Sequence, residues 1–181
     1  EWPSYMDPEK KVNGISIVTS PYNQFENPLY SNNKIIGTYV NSIMALHDAI
    51  ERGSDEALLL DSNKNISEGS GENLFIVKNE ELITPPPDNC LNGITRQSII
   101  KIAQDEKIDV IEKKLKYEDL VDADEAFFTG TAVEVTPISK VDETKIGDSM
   151  IGPITKKLQK IFTDTVTNKN KKYAHWLDPI T

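Results

Sequence analysis

The chain has 181 residues, 38% of them hydrophobic and 27% charged, an ordinary balance for a globular protein of one domain or slightly more. Its 29 acidic residues outnumber 20 basic ones, and the resulting net charge of -9 argues against nonspecific binding to DNA, RNA or anionic membranes, whose phosphates need positive neutralisation. Cys90 is the only cysteine, which excludes an intrachain disulfide and points to a reducing, cytoplasmic setting; no apolar run approaches the roughly 18 residues of a membrane helix.

In chain order, Gly14 to Thr19 reads as a strand rich in β-branched residues, and Pro21 to Asn33 as a loop. Tyr39 to Arg52 carries Val40, Ile43, Met44, Ala45 and Ile50 at helical spacing, with Gly53 as the stop. Ala57 to Leu60 is a short buried strand, and Asp61 to Asn65 a turn. Ile66 to Glu72 puts two acids and two glycines in a tight turn running into the strand Asn73 to Lys78. That strand forms a hairpin with Leu82 to Thr84 across Asn79-Glu80, and Pro85-Pro86-Pro87 ends it.

Thr95 or a neighbour caps a helix that runs to about Gln104, with Ile99, Ile100 and Ile102 as apolar positions. A strand at Asp109 to Glu112, a short helix at Tyr117 to Val121 and a buried strand at Ala126 to Thr129 follow. Val133 to Val141 is extended, with a break expected at Pro137. Pro153 opens a last helix to about Thr165, and Tyr173 and Trp176 in the tail are expected to dock back. The whole predicts an α/β (α+β) fold with a mixed sheet.

Several residues carry chemistry together. Lys34 offers an amine, Glu68 an acid and Tyr39 a phenol. Gly93-Ile94-Thr95 opens a helix, whose first amides suit an anion, and Gly130-Thr131-Ala132 follows a strand. Taken singly, each has a plainer use: a solvated lysine, a turn acid on a backbone amide, a helix cap, a tight turn. Taken as a set, they suit pyridoxal 5'-phosphate. The amine forms a Schiff base, the acid pairs the pyridinium nitrogen, and the glycine turns hold the phosphate. Ile35 and Ile36 are expected to help desolvate Lys34. Nothing has the spacing of a metal site, a Ser/His/Asp triad, a phosphate-binding loop or a dinucleotide fingerprint.

The ordered segments Lys34 to Ser42, Glu56 to Asp61, Ser67 to Phe75, Thr84 to Pro86, Gly93 to Arg96, Asp124 to Pro137 and Gly152 to Lys156 closely resemble the branched-chain amino-acid aminotransferases of the fold-type IV pyridoxal phosphate enzymes. The resemblance spans about residues 14 to 165. It implies a mixed sheet or pseudo-barrel with flanking helices. It implies transamination of leucine, isoleucine and valine with 2-oxoglutarate, in a homodimer or higher homo-oligomer. The Gly130 to Pro137 run favours this over the related D-amino-acid aminotransferases and aminodeoxychorismate lyases.

Carried over by position, Lys34 resembles the catalytic Schiff-base lysine, Glu68 the partner of the pyridine nitrogen, and Tyr39 the donor to the cofactor's phenolic oxygen. Ile94, Thr95 and Thr131 resemble phosphate binders, and the backbone of Thr131 and Ala132 resembles the part that meets the substrate carboxylate. Residues 1–13 resemble the exit from a smaller N-terminal domain, and 14–181 the large cofactor-binding domain, so the chain is expected to be a C-terminal piece that could be inactive alone. Ile35-Ile36 and Thr38 depart from the smaller residues and Asn of many relatives, beside the lysine.

Overall fold

The computed structural model describes residues 7–26, 33–148 and 150–178. Part of the loop expected at Pro21 to Asn33, and the ends of the chain, lie outside these. Nine strands and five α-helices are described. They are, in order, α1 (Lys10–Asn13), β1 (Ile15–Thr19), α2 (Tyr39–Glu51), β2 (Glu56–Leu60), β3 (Ile66–Gly69), β4 (Asn73–Lys78), β5 (Glu81–Thr84), α3 (Ile94–Asp105), β6 (Val110–Glu112), α4 (Tyr117–Val121), β7 (Glu125–Gly130), β8 (Glu134–Val141), β9 (Thr144–Lys145) and α5 (Pro153–Val166).

The sheet order is β3-β2-β1-β8-β7-β4-β5-β6, with β9 added on β8. Parallel pairs (β1 with β2, β1 with β8, β5 with β6) mix with antiparallel ones. The two ends of that order meet. Ile66 at the start of β3 bridges Leu115, just beyond β6, and its amide donates to the Leu115 carbonyl at 2.7 Å. The sheet is thus curled into a pseudo-barrel, as expected.

Strand alternation fills that barrel. Ile15 and Ile17, Leu58 and Leu60, Leu74 and Ile76, Phe128, Ile138 and Val141 point into one core. The opposite faces of β4 and β7, with Phe75 stacked on Phe127, pack under α3 and α5 through Ile99, Ile102, Leu158 and Phe162. Ala57 and Leu59 pack under α2 through Ala45 and Ala49. Small residues there let α2 lie close on β2. The apolar face expected to cover the sheet does not do so: Val40, Ile43, Met44 and Ile50 are exposed, and only Ala45 of that set is buried.

Three local features follow from residue type. The β4–β5 hairpin turns through Asn79 and Glu80, both at positive φ (51° and 66°), the two-residue geometry that matches strand twist. The Asp61 carboxylate accepts from the Asn63 and Asn65 amides at 2.9 and 2.7 Å and fixes the turn before β3. Pro137 does not break β8. Residues up to Pro137 pair with β7, and pairing with β1 starts at Ile138, so the missing N–H falls where the strand changes partners. The stretch around Glu68 is also more regular than expected. Ile66–Gly69 is a strand, and the tight turn is confined to residues 70–72.

The tail docks as expected. Tyr173 is buried and donates to Asp105 Oδ2 at 3.0 Å, and Trp176 packs against its ring. The α5 N-terminus is capped from far away in sequence: Glu125 of β7 accepts from the Ile154 and Thr155 amides at 3.0 and 2.7 Å. A carboxylate there meets both free amides and the positive end of the helix dipole. Replacing Glu125 with Ala should therefore lower the unfolding free energy by about 1–2 kcal/mol, read from the urea midpoint. An unchanged midpoint would contradict that cap.

Candidate active site

Strand register collects the functional segments at one end of the sheet. Glu68 stands opposite Leu59, and Asn73, the first residue of β4, stands opposite Thr129 of β7. The end of β7 abuts the 70–72 turn so closely that a Cβ on Gly130 would lie 3.4 Å from the Gly71 carbonyl and 3.6 Å from Glu72 Cγ. An open cleft lies beside this junction. Gln24, Lys34, Tyr39, Glu68, Glu72 and Asn73 are among its lining residues.

Glu68 is the best-held group. Gln24 Nε2 donates to its Oε1. Asn73 Nδ2 and the Leu91 amide donate to its Oε2 at 3.3 and 3.1 Å. Burial nevertheless pushes its carboxyl up to about 7, opposed by the Leu91 amide and the positive charge of Lys34. Neutral donors alone do not offset the desolvation of a carboxylate; a cation in contact would.

Lys34 reaches the cleft from an exposed segment just before a single 3-10 turn, Ile36–Thr38. That turn sends Ile36 outward, 88% exposed, and Ile35 is exposed too. The expected desolvation of Lys34 by these neighbours is therefore absent. Its electrostatic partner is Glu68. Tyr39 is the first residue of α2, half-buried at the cleft wall.

The anion-binding segment is organised differently from the expectation. Gly93, not Thr95, is the α3 N-cap, and with no side-chain cap the first-turn amides keep donor capacity for an anion. Thr95 is buried inside the first turn, and Ile94 is 82% exposed. A Cβ on Gly93 would come within 2.4 Å of Asn73 Oδ1, so a larger residue there would displace the Asn73 side chain. Thr131 and Ala132 are exposed in the β7–β8 turn. Lys34, Tyr39 and Glu68 thus share one lining, whereas Ile94, Thr95, Thr131 and Ala132 are tied to it through Leu91, Gly93 and Gly130.

Sequence reading missed the residues that hold this arrangement. Asn73 Nδ2 also donates to the Leu91 carbonyl at 2.7 Å. Arg96, 2% exposed, donates to the Pro85 carbonyl at 2.9 Å, to Asn92 Oδ1 at 3.1 Å and to Glu112, tying the 85–92 loop to β6. An amide side chain opening an apolar strand, and an arginine in the first turn of a helix, were the signals available for them.

The amino-transferase class IV family profile matches residues 1–141. The chain belongs to that family. Similar proteins include the branched-chain-amino-acid aminotransferase of Pseudomonas aeruginosa, 44% identical over 97% of this chain and 57% of that protein. A probable branched-chain-amino-acid aminotransferase of Aquifex aeolicus is 43% identical over 97% of this chain and 57% of its own length. Among solved structures, the Thermobaculum terrenum branched-chain amino acid aminotransferase in its PLP-form superposes with a TM-score of 0.88 at 30% identity, over 92% of this chain and 55% of that one. The Thermoproteus uzoniensis enzyme with norvaline gives 0.91 at 40% identity, over 99% and 59%. This class IV chain therefore spans somewhat over half the length of those relatives.

The Glu68 carboxyl has a testable signature. Its folded-state pKa lies above the unfolded value, so the stability it contributes is complete below the ordinary glutamate range and is lost as pH rises through about 7. In the ligand-free protein, unfolding free energy should fall between about pH 5 and 7, and Glu68→Gln should flatten that fall. Parallel pH profiles for the two proteins would contradict the assignment.

Proposed function

We propose that the protein is a pyridoxal 5'-phosphate-dependent transaminase of branched-chain L-amino acids, exchanging the amino group of leucine, isoleucine or valine with 2-oxoglutarate to give glutamate. The observation that carries this reading is the convergence of Lys34, Tyr39 and Glu68 on one cleft. The residues fit the cofactor. Glu68 is an enclosed carboxyl held only by neutral hydrogen-bond donors, and a protonated pyridine nitrogen supplies the contacting cation it lacks. The class IV relatives named above support the same substrate class.

Bound pyridoxal phosphate supplies an aldehyde for amines and a protonated ring that accepts electron density. In this reading the protein does the rest. Lys34 Nζ attaches the cofactor and then moves the proton at the substrate Cα. Glu68 holds the positive charge at the ring nitrogen, and the Tyr39 hydroxyl donates to the phenolic oxygen. The amides of Ile94 and Thr95, with the hydroxyls of Thr95 and Thr131, hold the phosphate at the uncapped start of α3. The backbone of Thr131 and Ala132 receives the substrate carboxylate. Residues 14–181 act as the cofactor-binding body, which residues 10–13 join through ion pairs of Lys10 with Asp55 and Lys11 with Glu134.

The same reading includes a homodimer or larger homo-oligomer, for which the exposed Val40, Ile43 and Met44 offer apolar surface. It also includes a cytoplasmic location, which the single buried thiol, Cys90, suits. Among the described residues no helix is long and apolar enough to cross a membrane.

The test is turnover of leucine with 2-oxoglutarate, beside D-alanine and aminodeoxychorismate as competing substrates. Leucine should be preferred, and Lys34→Ala should reduce turnover by at least about 10²–10⁴-fold without unfolding the protein. Near-normal turnover in Lys34→Ala, or a preference for D-alanine, would overturn the proposal.

A further inference from the structure

A second pair of acids stands at this cleft, Glu72 in its lining and Glu56 buried beside it, and the transamination reading does not use it. Strand alternation puts Glu56 on the same inward face of β2 as Leu58 and Leu60. It puts Glu72, just before β4, on the face of Leu74 and Ile76. Both acids therefore enter the mouth of the apolar barrel, 4% and 7% exposed.

There the two carboxyl groups face one turn: the adjacent Ser70 and Gly71 amides donate to one acid each, and each carboxyl acts electrostatically on the other. Neither takes part in an ion pair among the described residues; the nearby cations Lys10 and Lys11 are engaged by Asp55 and Glu134. Their remaining partners are neutral donors, the Ser70 side chain beside Glu56 and three backbone amides. The Ala57 and Ser70 amides reach Glu56 Oε1 at 2.6 and 3.3 Å, and the Gly71 amide reaches Glu72 Oε2 at 2.9 Å.

Two facing carboxylates cannot hydrogen-bond without a proton between them, and two charges in contact in an apolar wall repel. We propose that Glu56 and Glu72 share a single proton, and that this acid dyad is a positioning pair that clamps the Ser70-Gly71-Glu72 turn against the end of β7, keeping the cleft wall closed.

The surroundings fit a shared proton. Desolvation holds both carboxyls above the ordinary carboxylate range, and Glu72 is raised further by its neighbours Glu56 and Glu68. Of the elements packed on the pair, β1 brings Ile17 opposite Glu56, and β7 brings Gly130 against Glu72. From β3, Glu68 is the further charged group acting on Glu72, and Lys34 acts on Glu68.

The pair has no room to separate without moving its wall. A Cβ on Gly69 would already meet Glu72 Oε2 at 2.9 Å and Phe128 at 3.0 Å. Loss of the proton above neutral pH would therefore place two like charges in contact and push residues 70–72 outward, beside Glu68.

The decisive experiment is a pH titration of the glutamate side-chain carboxyls by 13C NMR in the cofactor-free protein, with Glu72 assigned from Glu72→Gln. It needs no cofactor, so its outcome is separate from that of the transamination reading. At pH 7 the Glu72 signal should be that of a protonated acid, moving only above neutrality, while Glu56→Gln should shift that titration to lower pH. The unfolding equilibrium constant should rise by up to about tenfold per pH unit from the ordinary glutamate range up to that titration in the wild type and level off above it, and this component should vanish in Glu72→Gln. Ionised signals from both acids at pH 7, or a Glu72 titration unmoved by Glu56→Gln, would overturn the proposal. Should the variants fail to fold, sequential assignment of the wild-type carboxyl signals identifies Glu56 and Glu72, and ionised signals from both at pH 7 would still overturn the proposal.

Discussion

The site depends on one buried amide side chain. Asn73 Nδ2 reaches both Glu68 and the Leu91 carbonyl, its Oδ1 lies against Gly93, and its backbone is in register with Thr129. One residue thus joins the strand that bears the acid, the loop that leads into α3, and the strand that ends at the Gly130 turn. Because Asn73 belongs to β4, its position is set by ladder hydrogen bonds and a packed core on both faces of the sheet. A site anchored in this way holds its geometry better than one built from loops alone.

Around that anchor the charges are unevenly settled. Surface acids have lysines beside them, whereas the cleft collects Glu68 and Glu72, with Glu56 buried beside Glu72 and Lys34 facing in from an exposed segment. Burial raises all three carboxyls, and each answers it differently. Glu68 gathers neutral donors and is left wanting a cation, the property of a ligand site. Glu56 and Glu72 answer one another, the property of a structural pair. The barrel interior below them is packed with apolar side chains.

Much of the fold was legible in the sequence, for reasons that were local. Ala57 to Leu60 and Ala126 to Thr129 are apolar runs of strand length. Asn79-Glu80 lies between two such runs, and Pro153 marks the start of α5. The ordered set from Lys34 to Pro137 pointed to Lys34, Tyr39 and Glu68, which the fold brings to one cleft. What was hidden depends on contacts distant in the chain. The outward face of α2 is apolar, and spacing alone cannot say which side of a helix meets the sheet. Pro137 reads as a breaker until β8 is seen to change partners there. The cap, left open between Thr95 and its neighbours, is Gly93, which lies against Asn73 from twenty residues earlier. Glu125, Glu56 and Glu72 carry no local signal of their contacts, and only the folded sheet gives them a helix end or one another.

The central claim is that Lys34, facing Glu68 across this cleft, is the amine that takes pyridoxal phosphate. It is tested most directly by incubating the protein with pyridoxal phosphate, reducing with borohydride, digesting, and locating the adduct by mass spectrometry. The account predicts a single adduct, on Lys34, whose yield falls in Glu68→Ala because the ring loses its anionic partner. An adduct on another lysine, or a scatter over the surface lysines with Lys34 unmodified, would contradict it.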